Sequence, residues 1–192
     1  MTETIGIVLA GGNSTRFGED KAFFELEGKQ MYRHALDALV ESGRCDRIAI
    51  STNARLKAHF NGYQTVVDHP EFQDQGPLGG LFALAEAFPG QRLLVVTCDA
   101  PYVSPSWLQL LHDRAVEHKA AIIVTKEAAR LHPLIAVYQG SDLSRTIRQL
   151  LEENRRSMRA LFEKKEMIEV DAALHDIDGG TFMNINRKAD IH

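Results

Sequence analysis

Cysteine is scarce in this chain: there are two in 192 residues, Cys45 and Cys98, and they do not form a close metal-ligand spacing. That excludes a disulfide-stapled scaffold and a cysteine-built zinc centre, and it predicts free thiols in a reducing compartment. Excess positive charge is missing too. The formal net charge is −4, so no global field recruits nucleic acid. The basic cluster "ENRRSMRALFEKK" is interleaved with acids and reads as a solvated helix face. No apolar run approaches membrane-spanning length, and no cationic start precedes an apolar signal segment, so the reading predicts a cytoplasmic protein. No repeat or low-complexity linker marks a boundary, which predicts a single domain over residues 1–192. G-x-S-x-G, H-E-x-x-H and Cys-x-x-Cys are all absent, which removes the commonest signatures of serine, zinc and dithiol chemistry.

What is present is an alternation of short apolar runs with amphipathic stretches. "IGIVLA" reads as a strand buried on both faces. "QMYRHALDALVESG" places Met31, Ala35, Leu36, Leu39 and Val40 on one helical stripe, with Gly43 as its stop. "RIAIST" reads as a strand, "ARLKAHF" as a short helix, "YQTVVD" as a strand, and "GPLGGLFALAEAF" as a turn and helix. "RLLVVTCD" is the clearest strand, followed by a Ser-capped helix in "SPSWLQLLHDRAVEH". "AAIIVTK" and "LIAVY" are further strands, a longer helix is expected over about 143–165, and "MIEVD" and "FMNIN" follow. Such alternation implies crossovers, hence an α/β fold: a Rossmann-like three-layer α/β/α arrangement around a mostly parallel sheet. Open sheets of this kind bind ligands beyond the carboxyl ends of their strands. The segments found there are chemical in character: "LAGG", "TNA", "DHPEFQDQGPLGG" and "CDAP".

The first of these, "LAGGNSTRFGEDK", carries the ingredients of an anion site. Gly11 and Gly12 permit close backbone approach, and successive N–H groups in such a turn can form an anion-binding nest. Asn13, Ser14 and Thr15 add short hydrogen-bonding groups, and Arg16 and Lys21 add a planar cation and a compact one. The spacing of Gly11, Gly12 and Gly18 does not fit the dinucleotide fingerprint, and no glycine precedes a Lys-Ser or Lys-Thr pair as a P-loop requires. A plain strand-to-helix turn with surface cations is the alternative, against which the grouping of Arg16, Gly18 and Lys21 weighs.

The 13 residues Leu9–Lys21 resemble the signature L-A-G-G-x-S-x-R-[MF]-G-x-D-K of nucleotidyltransferases with an N-terminal nucleotide-binding fold. Within that superfamily the chain is most similar to the molybdenum cofactor guanylyltransferases. "VVDHPEFQDQGPLGGL", "VVTCDAPYV", "HPLIAVY" and "FMNIN" follow in the order found in that family. The resemblance implies transfer of GMP from GTP to the phosphate of the molybdopterin cofactor, with release of pyrophosphate. It implies that the Leu9, Ala10, Gly11 and Gly12 backbone wraps the nucleotide. Arg16 and Lys21 would neutralise the phosphates, and Asp99 would complete the catalytic set as the ligand of Mg²⁺. One carboxylate suffices for Mg²⁺, because phosphate oxygens and waters fill its remaining positions. A turn-capping role is the plain alternative for Asp99, as a turn role is for Asn53.

Asn53 and Asp68 correspond to family positions that contact the guanine nucleotide, and which of them reads the base stays open. Either fits chemically, since a carboxylate accepts from guanine N–H groups and an amide both donates and accepts. Relatives that use CTP often have L-A-A-G here, so Gly11 is compatible with a larger purine. Asn184 and Asn186 match the family's late N-x-N, which the resemblance implies faces the pterin, and strand alternation would put both on one face. The continuation "RKAD" departs from the family at that point. Arg155, Arg156 and Arg159 read as solvated, His132 as structural and Cys98 as an inert buried thiol. Cofactor-biosynthesis or acceptor proteins are the partners this reading allows, with no nucleic acid or membrane. A cytidylyltransferase or another small-molecule nucleotidyltransferase is the sister alternative, and a non-catalytic nucleotide-binding adaptor the alternative from another class.

Overall fold

The computed structural model describes residues 2–11, 20–177, 180–186 and 190. A seven-stranded sheet runs through its centre. Its strands are β1 (Thr4–Leu9), β4 (Arg47–Thr52), β5 (Gln64–Val67), β6 (Arg92–Thr97), β7 (Ile122–Glu127), β8 (Arg130–Tyr138) and β9 (Met167–Asp171), in the order β5-β4-β1-β6-β8-β7-β9. Only β8 runs against the others, pairing antiparallel with both β6 and β7. A separate two-stranded hairpin, β2 (Glu25–Leu26) and β3 (Lys29–Gln30), precedes α1 (Met31–Glu41).

Side-chain alternation explains the continuous apolar runs. In β6, Leu94 and Val96 face one core cluster, and Leu93 and Val95 face the other. The first core includes Tyr32, Ala35 and Leu39 of α1 and Trp107, Leu108 and Leu111 of α3 (Pro105–Glu117). The second is covered by α2 (Gly76–Ala87), α4 (Leu143–Glu152) and α5 (Met158–Phe162). A sheet buried on both faces must alternate apolar with apolar, so a period-2 pattern disappears.

The structure departs from the sequence expectations at five places. The helix expected over 143–165 is two. Asn154 adopts φ +60°, Arg155 N–H bonds the Leu150 carbonyl at 2.8 Å and Asn154 N–H the Leu151 carbonyl at 3.0 Å, which together close the end of α4. Ser157 then caps α5 by accepting from Ala160 N–H at 3.2 Å. The short helix expected over 54–60 is only a 3₁₀ turn, Lys57–His59. "FMNIN" forms no strand. Val40 is 57% exposed, because it lies about 100° around the helix from Leu39, while Tyr32 and Ala38 are buried instead. The β2–β3 hairpin had no sequence expectation. Its turn residues Glu27 and Gly28, at φ +50° and +77°, form the kind of two-residue connection that matches strand twist.

Candidate active site

The carboxyl ends of β1, β4, β5 and β6 open on one cavity of about 460 Å³. Leu9, Ala10, Gly11, Lys21, Asn53, Asp68 and Asp99 all line it, together with Ser51, Thr52, Asp74, Gly76, Pro77, Gly80 and Thr97. Gly12 and Arg16 lie outside the described residues. Asn184 and Asn186 are not among the lining residues.

The β1 end is held by its neighbours. Ala10 N–H bonds the Ser51 carbonyl at 2.8 Å, and Cys98 N–H bonds the Leu9 carbonyl at 3.0 Å, so the parallel ladder continues beyond the strands. Thr52 Oγ1 donates to the Ala10 carbonyl at 3.4 Å, and Asn53 Nδ2 to the Gly11 carbonyl at 3.2 Å. A methyl group at Gly11 would lie 3.1 Å from the Thr52 backbone and 3.3 Å from Asn53 N. The missing methyl therefore faces the β4 end, which changes the argument from base size: an alanine there acts on the Asn53 loop before it acts on any ligand. The Asn53 side chain is itself occupied, since Oδ1 also accepts from Leu56 N–H at 3.0 Å. The amide is committed to the turn, with one Nδ2–H left beyond these bonds.

Asp68 follows β5 and is half-buried. Burial raises its carboxyl above the usual range, the Asp74 charge adds to that, and a hydrogen bond from the Asp74 backbone opposes it. The Asp68–Gly76 segment is braced from α4. Arg148 pairs with Glu71 at 3.0 Å, and its guanidinium lies 5.7 and 5.0 Å from the Phe72 and Phe82 ring centres. Gly79 is needed for that packing, since a Cβ there would stand 2.9 Å from the Phe72 carbonyl. Gly76 and Gly80 are the glycines of "GPLGG" that line the cavity.

Asp99 and Lys21 meet at the cavity wall, with Nζ 3.4 Å from Oδ2. Asp99 Oδ1 accepts from Thr97 Oγ1 at 2.7 Å. Lys21 Nζ also donates to Asn186 Oδ1 at 3.0 Å. Ile185 sets that last contact: it is buried with Leu26 and Met31, and its N–H bonds the Asp99 carbonyl at 2.8 Å. The expected sharing of one strand face by Asn184 and Asn186 is therefore corrected. The segment is irregular; Asn186 is exposed at Lys21, whereas Asn184 Oδ1 is buried without a hydrogen-bond partner among the described residues.

His132, Arg155, Arg156 and Arg159 are not among the residues that line the cavity, whereas Cys98 is. His132 is 5% exposed, bonds Glu127 Oε2 at 3.1 Å and packs on Phe182; burial lowers its pKa. Burial pushes the Cys98 thiol up to about 12 and that of Cys45 up to about 11, which keeps both protonated and unreactive at neutral pH. Arg155 pairs with Glu163 at 2.6 Å, Arg159 is 88% exposed on its side chain, and Arg156 is exposed.

The sequence reading missed Thr97, Asp74 and the tie between Asp20 and Arg55. That tie is bidentate, at 2.7 and 2.5 Å, and holds Asp20 below the usual carboxylate range. It links the residue before Lys21 to the turn after β4. The only signal for Thr97 was a hydroxyl two residues before Asp99 in an otherwise apolar strand.

The donor set bears on a metal. Among the described lining residues, Asp68, Asp74 and Asp99 face a single cation, Lys21. No group of three or more His, Cys, Asp or Glu among the described residues could cage an ion. Carboxylates that line an open cavity without converging into a cage suit a hard divalent cation that draws its other ligands from phosphate and water. They do not suit a closed structural site.

The family model of the MobA-like NTP transferase domain matches residues 6–170. A Halalkalibacterium halodurans protein, "Probable molybdenum cofactor guanylyltransferase", is 32% identical over 98% of this chain and 96% of its own. The crystal structure of molybdopterin-guanine dinucleotide biosynthesis protein A from Archaeoglobus fulgidus has the same fold, with a TM-score of 0.81, 19% identity and 97% and 94% of the two chains covered. So does a Mycobacterium tuberculosis protein solved as a complex with manganese, with a TM-score of 0.61, 21% identity and 89% and 90% covered. The chain belongs to the MobA-like NTP transferase domain family, and it is a nucleotidyltransferase.

Proposed function

We propose that this nucleotidyltransferase transfers GMP from GTP to the phosphate of the molybdopterin cofactor, with Mg²⁺ as the divalent ion, as one cytoplasmic domain over residues 1–192. The observation that carries the proposal is the meeting of Lys21 and Asp99 at 3.4 Å on the wall of a cavity that the half-buried Asp68 also lines. Support for guanine comes from Asp68, whose carboxylate can accept from guanine N1–H and its amino group. Support for the acceptor comes from the name of the 32% identical relative.

In the reaction, an oxygen of the acceptor phosphate attacks the α-phosphorus of GTP. A new phosphoanhydride bond forms, the bond to the β-phosphate oxygen breaks, and the electron pair leaves with pyrophosphate. Little covalent chemistry falls to the protein, so positioning and charge compensation dominate. Lys21 neutralises phosphate charge, Asp99 holds the cation, Asp68 orients the base, and the Ala10–Gly11 backbone with Asn53 shapes the floor. When bound, Mg²⁺ supplies positive charge to the phosphates. Arg16 is assigned to the phosphates and Asn184 and Asn186 to the acceptor on resemblance. Removing the Lys21 charge is expected to slow turnover by about 10²- to 10³-fold.

Pyrophosphate release measured with molybdopterin, Mg²⁺ and each of GTP, CTP, ATP and UTP tests the proposal. Release with GTP alone, lost in Asp99→Ala, is the expected result. Release with CTP instead would make the protein a cytidylyltransferase, and nucleotide binding without release would make it an adaptor.

A further inference from the structure

Thr97 is the last residue of β6, 7% exposed and in register with Leu9 of β1, so its backbone is fixed by the centre of the sheet. The residues before it, Leu93 to Val96, are apolar and buried on one face or the other. Its hydroxyl carries one hydrogen, and that hydrogen is directed at Asp99 Oδ1, 2.7 Å away. The turn beyond is closed by Ala100 N–H on the Thr97 carbonyl at 3.2 Å, and the Asp99 carbonyl is held by Ile185 N–H at 2.8 Å. Asp99 is thus fixed at its backbone and at one carboxylate oxygen. The other oxygen, Oδ2, faces Lys21 Nζ at 3.4 Å, and Lys21 is steadied in turn by Asn186 Oδ1 at 3.0 Å. The two oxygens of Asp99 therefore differ in kind: one is anchored to the sheet and the other is offered to a cation.

We propose that Thr97 is a positioning residue that anchors Asp99 Oδ1 and so reserves Oδ2 as the oxygen over which Lys21 and the divalent cation exchange. This rests on the reading of Asp99 as the cation ligand. Without nucleotide, Lys21 occupies the reserved oxygen. When a cation is bound there, Lys21 gives the oxygen up and turns its ammonium to the phosphates in the same cavity. A partner that orients a metal-ligating carboxylate typically changes metal affinity by about 10- to 100-fold when removed. Lys21 acts in the opposite direction, because it competes for the oxygen.

The test uses Mn²⁺ as probe on the nucleotide-free protein, with affinity read from water-proton relaxation enhancement. Thr97→Val keeps shape and strand propensity and removes the donor; its expected Mn²⁺ affinity is at least about tenfold weaker. Thr97→Ser keeps the donor and is expected to stay within about threefold of the parent, on the same scale. Lys21→Met is expected to bind Mn²⁺ about two- to fivefold tighter, the size of a solvent-screened ion pair, although its turnover is slowed. Circular-dichroism melts establish that each variant folds, and Thr97→Ala replaces Thr97→Val should the latter not fold. Full affinity in the donor-less variant beside lost affinity in Asp99→Ala overturns the proposal and leaves the Asp99 assignment standing. Unchanged affinity in Asp99→Ala overturns both. Weaker binding in Lys21→Met overturns the exchange.

Discussion

Asn53 joins the ends of two parallel strands by donating its side-chain amide to the carbonyl of Gly11 at 3.2 Å. The same side chain accepts from Leu56 N–H at 3.0 Å, so one residue ties the β1 terminus to the turn after β4. Asn53→Ala leaves the Gly11 carbonyl without this partner, while Leu56 N–H keeps only the Asn53 backbone carbonyl at 3.2 Å. The expected loss is about 1–3 kcal/mol of stability, the range for unmade bonds to partly buried groups, accompanied by weaker GTP binding. Urea unfolding and calorimetry measure the two. Weaker binding at unchanged stability would instead make Asn53 a direct ligand contact.

Gly11→Ala acts on the same joint from the other side. Its methyl would meet the Thr52 backbone at 3.1 Å, and backbone cannot swing away as a flexible side chain can. The substitution is expected to destabilise by about 1–3 kcal/mol. Because both changes disturb one joint, the double variant with Asn53→Ala should fall short of additivity by about 0.5 kcal/mol or more in a double-mutant cycle. Strict additivity would mean that Gly11 does not act through Asn53.

Asp68 stores a cost in the free protein. Burial raises its carboxyl above the ordinary 3.8, so the folded state binds that proton more tightly than the unfolded state. The linkage sign follows: its contribution to stability is most favourable below 3.8 and falls as pH rises through the folded value. Asp68→Asn should therefore raise the melting temperature at pH 7 while weakening GTP binding. The gain should vanish as the pH drops below the ordinary carboxylate range. Melts across pH, with parallel GTP titrations, check both signs.

His132 has the reverse sign. Burial depresses its pKa below 6.5 despite the Glu127 partner, so the folded state resists protonation. Its contribution is fully present above about pH 6.5 and is lost as pH falls through the lower folded value. Denaturant unfolding of parent and His132→Gln across this range should show a steeper acid decline in the parent. Equal slopes would show that the imidazole is already as easily protonated as in the unfolded chain.

The legibility of the fold varied with the range of the forces involved. β6 and α3 were readable because an unbroken apolar run and a Ser-Pro cap are local signals. The break between α4 and α5 was missed although Asn154 and Ser157 were in view, since the helical stripe continues through both residues. "FMNIN" misled for the opposite reason: its alternation suggests a strand, yet Ile185 is drawn into a small core with Leu26 and Met31, and its N–H goes to Asp99 instead of to a neighbouring strand. In the site, the strand-end rule brought Gly11, Asn53, Asp68 and Asp99 into view together, because a parallel sheet delivers its carboxyl ends to one edge.

By itself, the sequence determined that the chain is an α/β protein with its chemistry at that edge, because apolar periodicity and loop composition are written residue by residue. Only the tertiary structure decided what each polar group there is committed to: Asn53 to Gly11, Thr97 to Asp99, Lys21 to Asp99 and Asn186, Asp20 to Arg55. Those pairs span from two to 165 positions along the chain. A hydrogen bond is set by a few tenths of an ångström and an angle, and for partners so far apart only the folded sheet brings them within that reach.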